Sequence, residues 1–129
     1  MLIFMIISVS AILITLCVRW ADLKAPAQFT YEYYAKTKQY GLDHKYKFRV
    51  RKCSEGYRCY IERTPSFRNR DTSKYMAHYW IENGTDRHYI CWTGKLKYPE
   101  QAKTLCRNWS DATQQFIDTG KPAPGFERK

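Results

Sequence analysis

Residues 45–51 read Lys-Tyr-Lys-Phe-Arg-Val-Arg, a strict alternation of cationic and apolar side chains. A period of two is typical of a β-strand with one buried face and one solvated face. A second segment of similar character, residues 57–62, follows after a short Ser-Glu-Gly stretch. The two segments predict an antiparallel hairpin at the centre of a small sheet.

The turn of this hairpin decides which side chains lie opposite each other. A two-residue turn at residues 55–56 would place Val50 opposite Ile61, which is a favourable apolar cross-strand pair. The same register puts Cys53 and Cys59 on opposite faces of the sheet, which excludes a bridge between them. We therefore expect Cys59 to be a core residue.

The segments on either side of the hairpin extend the domain. Residues 29–40 are rich in aromatic side chains and predict a first strand or a short helix. Residues 75–82 and 88–92 have β-rich composition, and the Asn83-Gly84 pair between them favours a tight turn, because that turn needs positive φ at both central positions. A second hairpin is therefore expected here.

The C-terminal part predicts one amphipathic helix. Pro99 suits the first helical position, and Gly120 suits the left-handed residue that ends a helix. Between them the apolar side chains form one stripe: Ala102, Leu105, Cys106, Trp109, Ala112, Phe116 and Ile117. The sequence thus predicts an α+β domain over residues 29–120, with about four antiparallel strands in two hairpins packed by this helix, and a flexible tail over residues 121–129.

The N-terminal stretch differs in kind, because residues 1–18 carry no charged side chain. As a helix they would be about 27 Å long, close to the thickness of a bilayer core. We interpret residues 1–20 as a transmembrane anchor and residues 21–28 as a juxtamembrane linker. A cleaved signal peptide or a lipoprotein signal ending at Cys17 are the alternatives, although the basic start that is usual for a signal peptide is missing.

The side of the membrane on which the domain lies rests on two residues. Arg19 and Lys24 follow the apolar stretch, and no lysine or arginine precedes it. Because such residues tend to stay in the cytoplasm, we expect the domain to face the cytoplasm. Export of the domain is the alternative, and a Cys91–Cys106 disulfide would then be expected. The histidines and cysteines lack metal-ligand spacing, so we expect no metal site and no cofactor.

The chain has a net charge of +10, and much of it lies in and around the first hairpin. On the first strand, alternate positions place cations on one face at intervals of about 6.6 Å, which is a spacing able to follow phosphates or anionic headgroups. Arg58 lies on that face, and Tyr60 would lie beside Arg51 and could stack on a base. The predicted anion-binding residues are Lys45, Lys47, Arg49, Arg51, Arg58 and Tyr60.

These features predict a single-pass membrane protein whose small basic domain works by binding to anionic lipid headgroups or to an envelope protein. The alternative is a membrane-tethered nucleic-acid-binding module. The order of strands and helix from His88 onward resembles small sheet-and-helix DNA-binding modules such as integrase arm domains, which contact DNA with the sheet face away from the helix. A further alternative is an exported structural protein stabilised by disulfides. No pattern marks a catalytic residue or a small-molecule substrate site.

Overall fold

The computed structural model describes residues 25–70, 79–90 and 92–125, with the backbone alone at residues 80 and 81. The predicted anchor, residues 1–20, and the linker up to residue 24 lie outside these ranges. Within them, no helix combines the length and the apolar character needed to cross a membrane.

The central feature of the domain is one antiparallel sheet of five strands in the order β1-β2-β3-β5-β4. The strands are β1 (Gln28–Tyr34), β2 (Lys45–Cys53), β3 (Gly56–Arg63), β4 (Tyr79–Ile81) and β5 (His88–Ile90). The predicted α+β class and both hairpins are confirmed. The aromatic segment forms the edge strand β1, which brings the number of strands to five.

The helix α1 (Pro99–Thr119) covers one face of this sheet, here called the inner face. Trp109 lies at the centre of the interface, with its ring edge-on to the rings of Tyr46 and Phe48 at 6.1 and 6.0 Å. The buried residues that share this core include Val50, Tyr57, Cys59, Ile90, Leu96, Ala102 and Cys106. The alternation of β2 therefore sorts its apolar side chains into the core, as predicted.

Both ends of α1 lie where the sequence predicts them. Pro99 is the first helical residue, and the amides of Lys97 and Tyr98 donate to the Gln101 side chain at 2.9 and 3.2 Å. At the other end Gly120 adopts a φ of 74° and its amide donates to the Phe116 carbonyl. The fold continues beyond this point, because Ala123, within the predicted tail, is buried.

A loop after β3 packs on the last turns of α1. The ring of Phe67 lies 6.3 Å from that of Phe116. Arg70 donates from Nε to the carbonyl of Ile117 and from a terminal nitrogen to that of Asp118, each at 2.8 Å. These carbonyls lack partners inside the helix, so Arg70 stabilises the helix end.

The predicted hairpin register is wrong by two residues. The turn lies at residues 54–55, so Cys53 pairs with Gly56 and Val50 with Cys59 rather than with Ile61. Since the shift is an even number, the side chains of the hairpin up to Ile61 keep the face that was predicted for them.

A distant contact explains the shift. Gly56 has a φ of 105°, and a Cβ placed on it would lie 2.8 Å from the carbonyl oxygen of Leu96. The next amide, that of Tyr57, donates to this same oxygen at 2.8 Å. The loop before α1 therefore needs a glycine inside the strand, and Gly56 cannot remain in the turn.

The sheet has two ends that differ in their surroundings. We call the end at which β1 begins the entry end, because residues 25–27 join the domain there. The Lys52 amide donates to the Ala27 carbonyl at 2.7 Å, and the Tyr57 hydroxyl donates to the Pro26 carbonyl at 2.8 Å. The last residues of the predicted linker are thus fixed to the sheet. The opposite end, the far end, carries the loop between β1 and β2.

Candidate anion-binding site

The face of the sheet away from α1, here called the outer face, holds all six predicted anion-binding residues. The strand registers place on it Glu32 from β1, Lys45, Lys47, Arg49 and Arg51 from β2, Arg58, Tyr60 and Glu62 from β3, and Tyr89 from β5. Carboxylates from β1 and β3 therefore flank the row of cations on β2.

Three cations of the row have carboxylate partners. Lys45 lies 3.6 Å from Glu32, and Glu62 lies 3.7 Å from Lys47 and 2.8 Å from Arg49. The far half of the row is therefore an alternating network of charges, whereas the sequence predicts a continuous basic row. Such exposed pairs add little to stability, but they reduce the attraction of this half for an external anion.

A β-bulge gives Glu62 its position between two cations. Lys47 pairs with Arg63 and the next residue, Phe48, pairs with Ile61, so Glu62 is the extra residue on β3. An extra residue in one strand locally re-aims the side chains around it. The bulge lets one carboxylate neutralise two neighbours of the row.

The entry half of the row has the opposite character. Arg51 pairs directly with Arg58 across β2 and β3, so two arginines occupy neighbouring positions on the outer face. Among the described residues no carboxylate lies within salt-bridge distance of either arginine. Like charges directly opposite each other destabilise a sheet, and an anion bound between them would remove that cost.

Aromatic residues hold Arg58 in place. Its guanidinium lies 4.3 Å from the centre of the Tyr89 ring, a cation–π distance. A hydrogen bond with Tyr60 raises the pKa of Arg58, which therefore stays charged. Burial and a hydrogen bond with Glu82 raise the pKa of Tyr60 in turn. The other oxygen of Glu82, Oε2, is buried and has no partner among the described residues.

The predicted stacking role of Tyr60 does not fit its surroundings. The register places Tyr60 opposite Arg49 rather than beside Arg51, and its side chain is only 6% exposed. The Tyr89 ring covers it at 5.9 Å in an edge-on arrangement. Too little of the Tyr60 ring is exposed for a base to stack on it, so this part of the prediction is wrong.

The described cysteines are free thiols. Cys59 and Cys106 are buried next to each other, and the hydrogen bond between them together with burial raises the pKa of the Cys106 thiol. Cys53 is partly exposed at the entry end. Cys91 lies outside the described residues, so the Cys91–Cys106 disulfide stays a prediction. The described ranges contain no group of three side chains able to hold a metal ion.

A carboxylate cluster at the far end was missed by sequence reasoning. Asp111 accepts hydrogen bonds from the Tyr33 hydroxyl at 3.0 Å and from the Lys36 amide at 2.9 Å. Asp118, two helical turns further on, accepts one from the Thr37 hydroxyl at 2.7 Å. The seven-residue spacing of Asp111 and Asp118, which places both on one face of the helix, is the sequence signal from which the cluster could have been predicted. These bonds fix the loop between β1 and β2, so we assign the cluster a structural role.

Comparison with known proteins adds no family assignment. No protein-family model matches the chain, and no curated protein or solved structure matches it either. The functional interpretation therefore rests on the outer face itself.

Proposed function

We propose that this protein is a membrane-anchored binding protein whose outer sheet face binds an anionic partner at Arg51 and Arg58. The observation that carries the proposal is the direct cross-strand pairing of these two arginines, neither of which has a carboxylate of the described residues within salt-bridge distance. Two neighbouring arginines suit carboxylate or phosphate groups, to which each guanidinium can donate two hydrogen bonds. The proposed anchor is residues 1–20, whose first 18 residues carry no charged side chain.

Nucleic acid is the second candidate, and it has less support. The net charge of +10 favours any polyanion, nucleic acid included. However, binding of unpaired bases relies on exposed aromatic rings; Tyr60, beside Arg58, is buried, and the exposed ring of Tyr34 lies at the far end of this face. The outer face is therefore better suited to a partner recognised by its negative charges than to one recognised by stacking of its bases.

Charge-matched variants test the proposal. The full-length protein in non-ionic detergent would be titrated against fluorescent polyglutamate and polyphosphate, which separate carboxylate from phosphate binding. Replacing Arg51 and Arg58 with glutamine removes two unpaired cations, and we expect affinity to fall about tenfold. The matched control replaces Lys45 and Lys47 with glutamine, which removes the same charge from the far half of the row. This variant should change affinity less than about twofold.

The outcomes separate the candidates clearly. Equal losses for the two double variants would show that overall charge, not the arginine pair, determines binding. A single-stranded oligonucleotide included as a third probe tests the second candidate. If it bound more tightly than both other polyanions, with a steep dependence on salt, the nucleic-acid interpretation would replace the proposal.

A further inference from the structure

The entry end carries a rim of exposed cationic and aromatic side chains formed by two loops. One is the β2–β3 turn with Lys52 before it, and the other is the segment 92–98 that leads into α1. The hydrogen bond between Tyr57 and Leu96 joins the two loops, and Gly56 lies against the same residue. The exposed residues of this entry rim include Lys52, Trp92, Lys95, Lys97 and Tyr98.

The composition of the entry rim matches a membrane interface. Trp92 and Tyr98 are 55% and 56% exposed, whereas the large exposed aromatic residues described at the far end are the tyrosines Tyr34 and Tyr40. Tryptophan and tyrosine are enriched at the level of lipid headgroups, and lysine side chains are attracted to anionic lipids. Glu55 is the acidic residue of the connecting turn, so the lysines of the rim outnumber it.

The path of the chain leads to the same end of the domain. The predicted anchor finishes at Trp20, and five residue steps separate it from Ala25, which is at most about 17 Å for a fully extended chain. Ala27 and Pro26 are hydrogen-bonded to the entry end. An anchor in the bilayer would therefore hold the entry end within this reach of the membrane surface.

The far end differs from the rim in its balance of charges. Its exposed lysines, Lys36 and Lys38, lie in the loop that Asp111 and Asp118 hold. Asp43 pairs with Arg63, and Glu32 and Glu62 pair with cations of β2. β2 has nine residues, which places the two ends about 30 Å apart. The distribution of charge therefore distinguishes one end of the domain from the other.

We propose that the entry rim rests on the anionic headgroups of the bilayer in which the protein is anchored, with the far end directed away from the membrane. This inference depends on the membrane anchor of the proposed function, and it adds a second contact with the membrane. In this orientation Arg51 and Arg58 lie close to the membrane surface, where an anionic partner would be held near the bilayer.

Lysine footprinting of the full-length protein tests this orientation. The protein would be reconstituted in nanodiscs of phosphatidylcholine alone, or of equal parts phosphatidylcholine and phosphatidylglycerol. Brief acylation and mass spectrometry then compare Lys95 and Lys97 with Lys36 and Lys38, exposed lysines at the far end. We expect rim labelling in anionic discs to fall about fivefold relative to the far-end lysines, and less in neutral discs.

The possible results bear separately on the two proposals. Equal labelling of the rim and far-end lysines in anionic discs would overturn the orientation while leaving the anchor intact. Equal protection in both lipids would overturn the part played by headgroup charge. A protein that alkaline carbonate washes off the membrane would overturn the anchor and the orientation together, whereas binding at Arg51 and Arg58 is measured in detergent and would still stand.

Discussion

The entry end and the far end of the domain are held together by different kinds of bond. At the entry end, backbone groups close the structure, with the Tyr57 amide on Leu96 and the Lys52 amide on Ala27. At the far end one backbone bond, from the Ala35 amide to the His44 carbonyl, is joined by carboxylates, because Asp111 and Asp118 bind the loop between β1 and β2. Other carboxylates at this end, Glu32, Glu62 and Asp43, pair with its cations. The cations of the entry end are left available for binding.

This contrast shows that the number of charges does not locate a binding site. The row on β2 looks uniform in sequence, yet its two halves differ once neighbouring strands are in place. Glu62 occupies the bulge and pairs with Lys47 and Arg49, whereas Arg51 faces another arginine. Four predictions test how far the difference between the two ends extends.

The largest effect is expected from glycine substitution at the two ends. In Gly56→Ala the added Cβ meets the backbone of Leu96 at 2.8 Å, and the residue has a φ of 105°. We expect the free energy of unfolding to fall by about 3 kcal/mol. Gly41→Ala at the far end has a similar φ but open space around it, and should cost about 1 kcal/mol. Urea unfolding of the full-length protein in detergent, followed by circular dichroism, measures both, and equal losses would contradict the packing argument.

The carboxylate cluster should give the next largest effect. Asp111→Ala removes the acceptor for the Tyr33 hydroxyl and the Lys36 amide. We expect a loss of about 2 kcal/mol, because hydrogen bonds to charged groups are the stronger ones. Asp86→Ala, at an exposed aspartate, is the control and should change stability by less than about 0.5 kcal/mol. A loss for Asp111→Ala no larger than the control would show that the cluster does not hold the far end.

The same cluster predicts a dependence on alkaline pH. Burial and the hydrogen bond with Asp111 raise the pKa of Tyr33 from 10.0 to about 12. The folded protein therefore keeps a proton that the unfolded chain releases above pH 10, so this contribution is complete below pH 10 and is lost toward pH 12. We expect about 1 kcal/mol, since the partly exposed ring is screened by solvent.

The control for this prediction is Tyr33→Phe, measured by urea unfolding between pH 9 and 12. The dependence should become weaker rather than vanish, because burial raises the pKa of Tyr57 and Tyr60 in the same direction. An unchanged pH dependence in Tyr33→Phe would remove this residue as its source.

The smallest effects should have opposite signs in the two halves of the outer face. Arg51→Gln relieves the repulsion from Arg58 and should stabilise the protein by about 0.5 kcal/mol. Lys47→Gln removes an ion pair with Glu62 and should destabilise it by about 0.3 kcal/mol. The urea midpoint of each variant, compared with that of the unsubstituted protein, measures the sign of its change in stability. Two changes of the same sign would mean that the halves do not differ electrostatically.

Local sequence patterns predicted the elements of the fold well. Alternation in residues 45–51 identified β2 and its buried face, and Pro99 and Gly120 marked both ends of α1. These signals are reliable because each depends on the geometry of a few neighbouring residues. The Asn83-Gly84 pair lies in the turn of the second hairpin, but Gly84 has a positive φ and Asn83 does not. The predicted tight turn is therefore wrong, and a four-residue loop joins the strands.

The candidate site was predicted only in part. The face of each of the six residues was correct, since parity along a strand fixes it. The cross-strand partners of these residues were predicted wrongly, because the register shifted by two residues and a bulge formed at Glu62. The burial of Tyr60 depends on Tyr89, which lies on a strand that pairs with β3 only in the folded sheet. No local pattern contains that information.

The sequence by itself determined the α+β class, the faces of the strands, the limits of α1, and a basic domain behind an apolar N-terminal stretch. Only the tertiary structure decided which cations are neutralised and which lie unpaired. The reason is physical: periodicity and caps act over a few residues, whereas charge pairing depends on distances of a few ångströms between separate strands. In this protein the bulge at Glu62 and the direct pairing of Arg51 with Arg58 determine those distances.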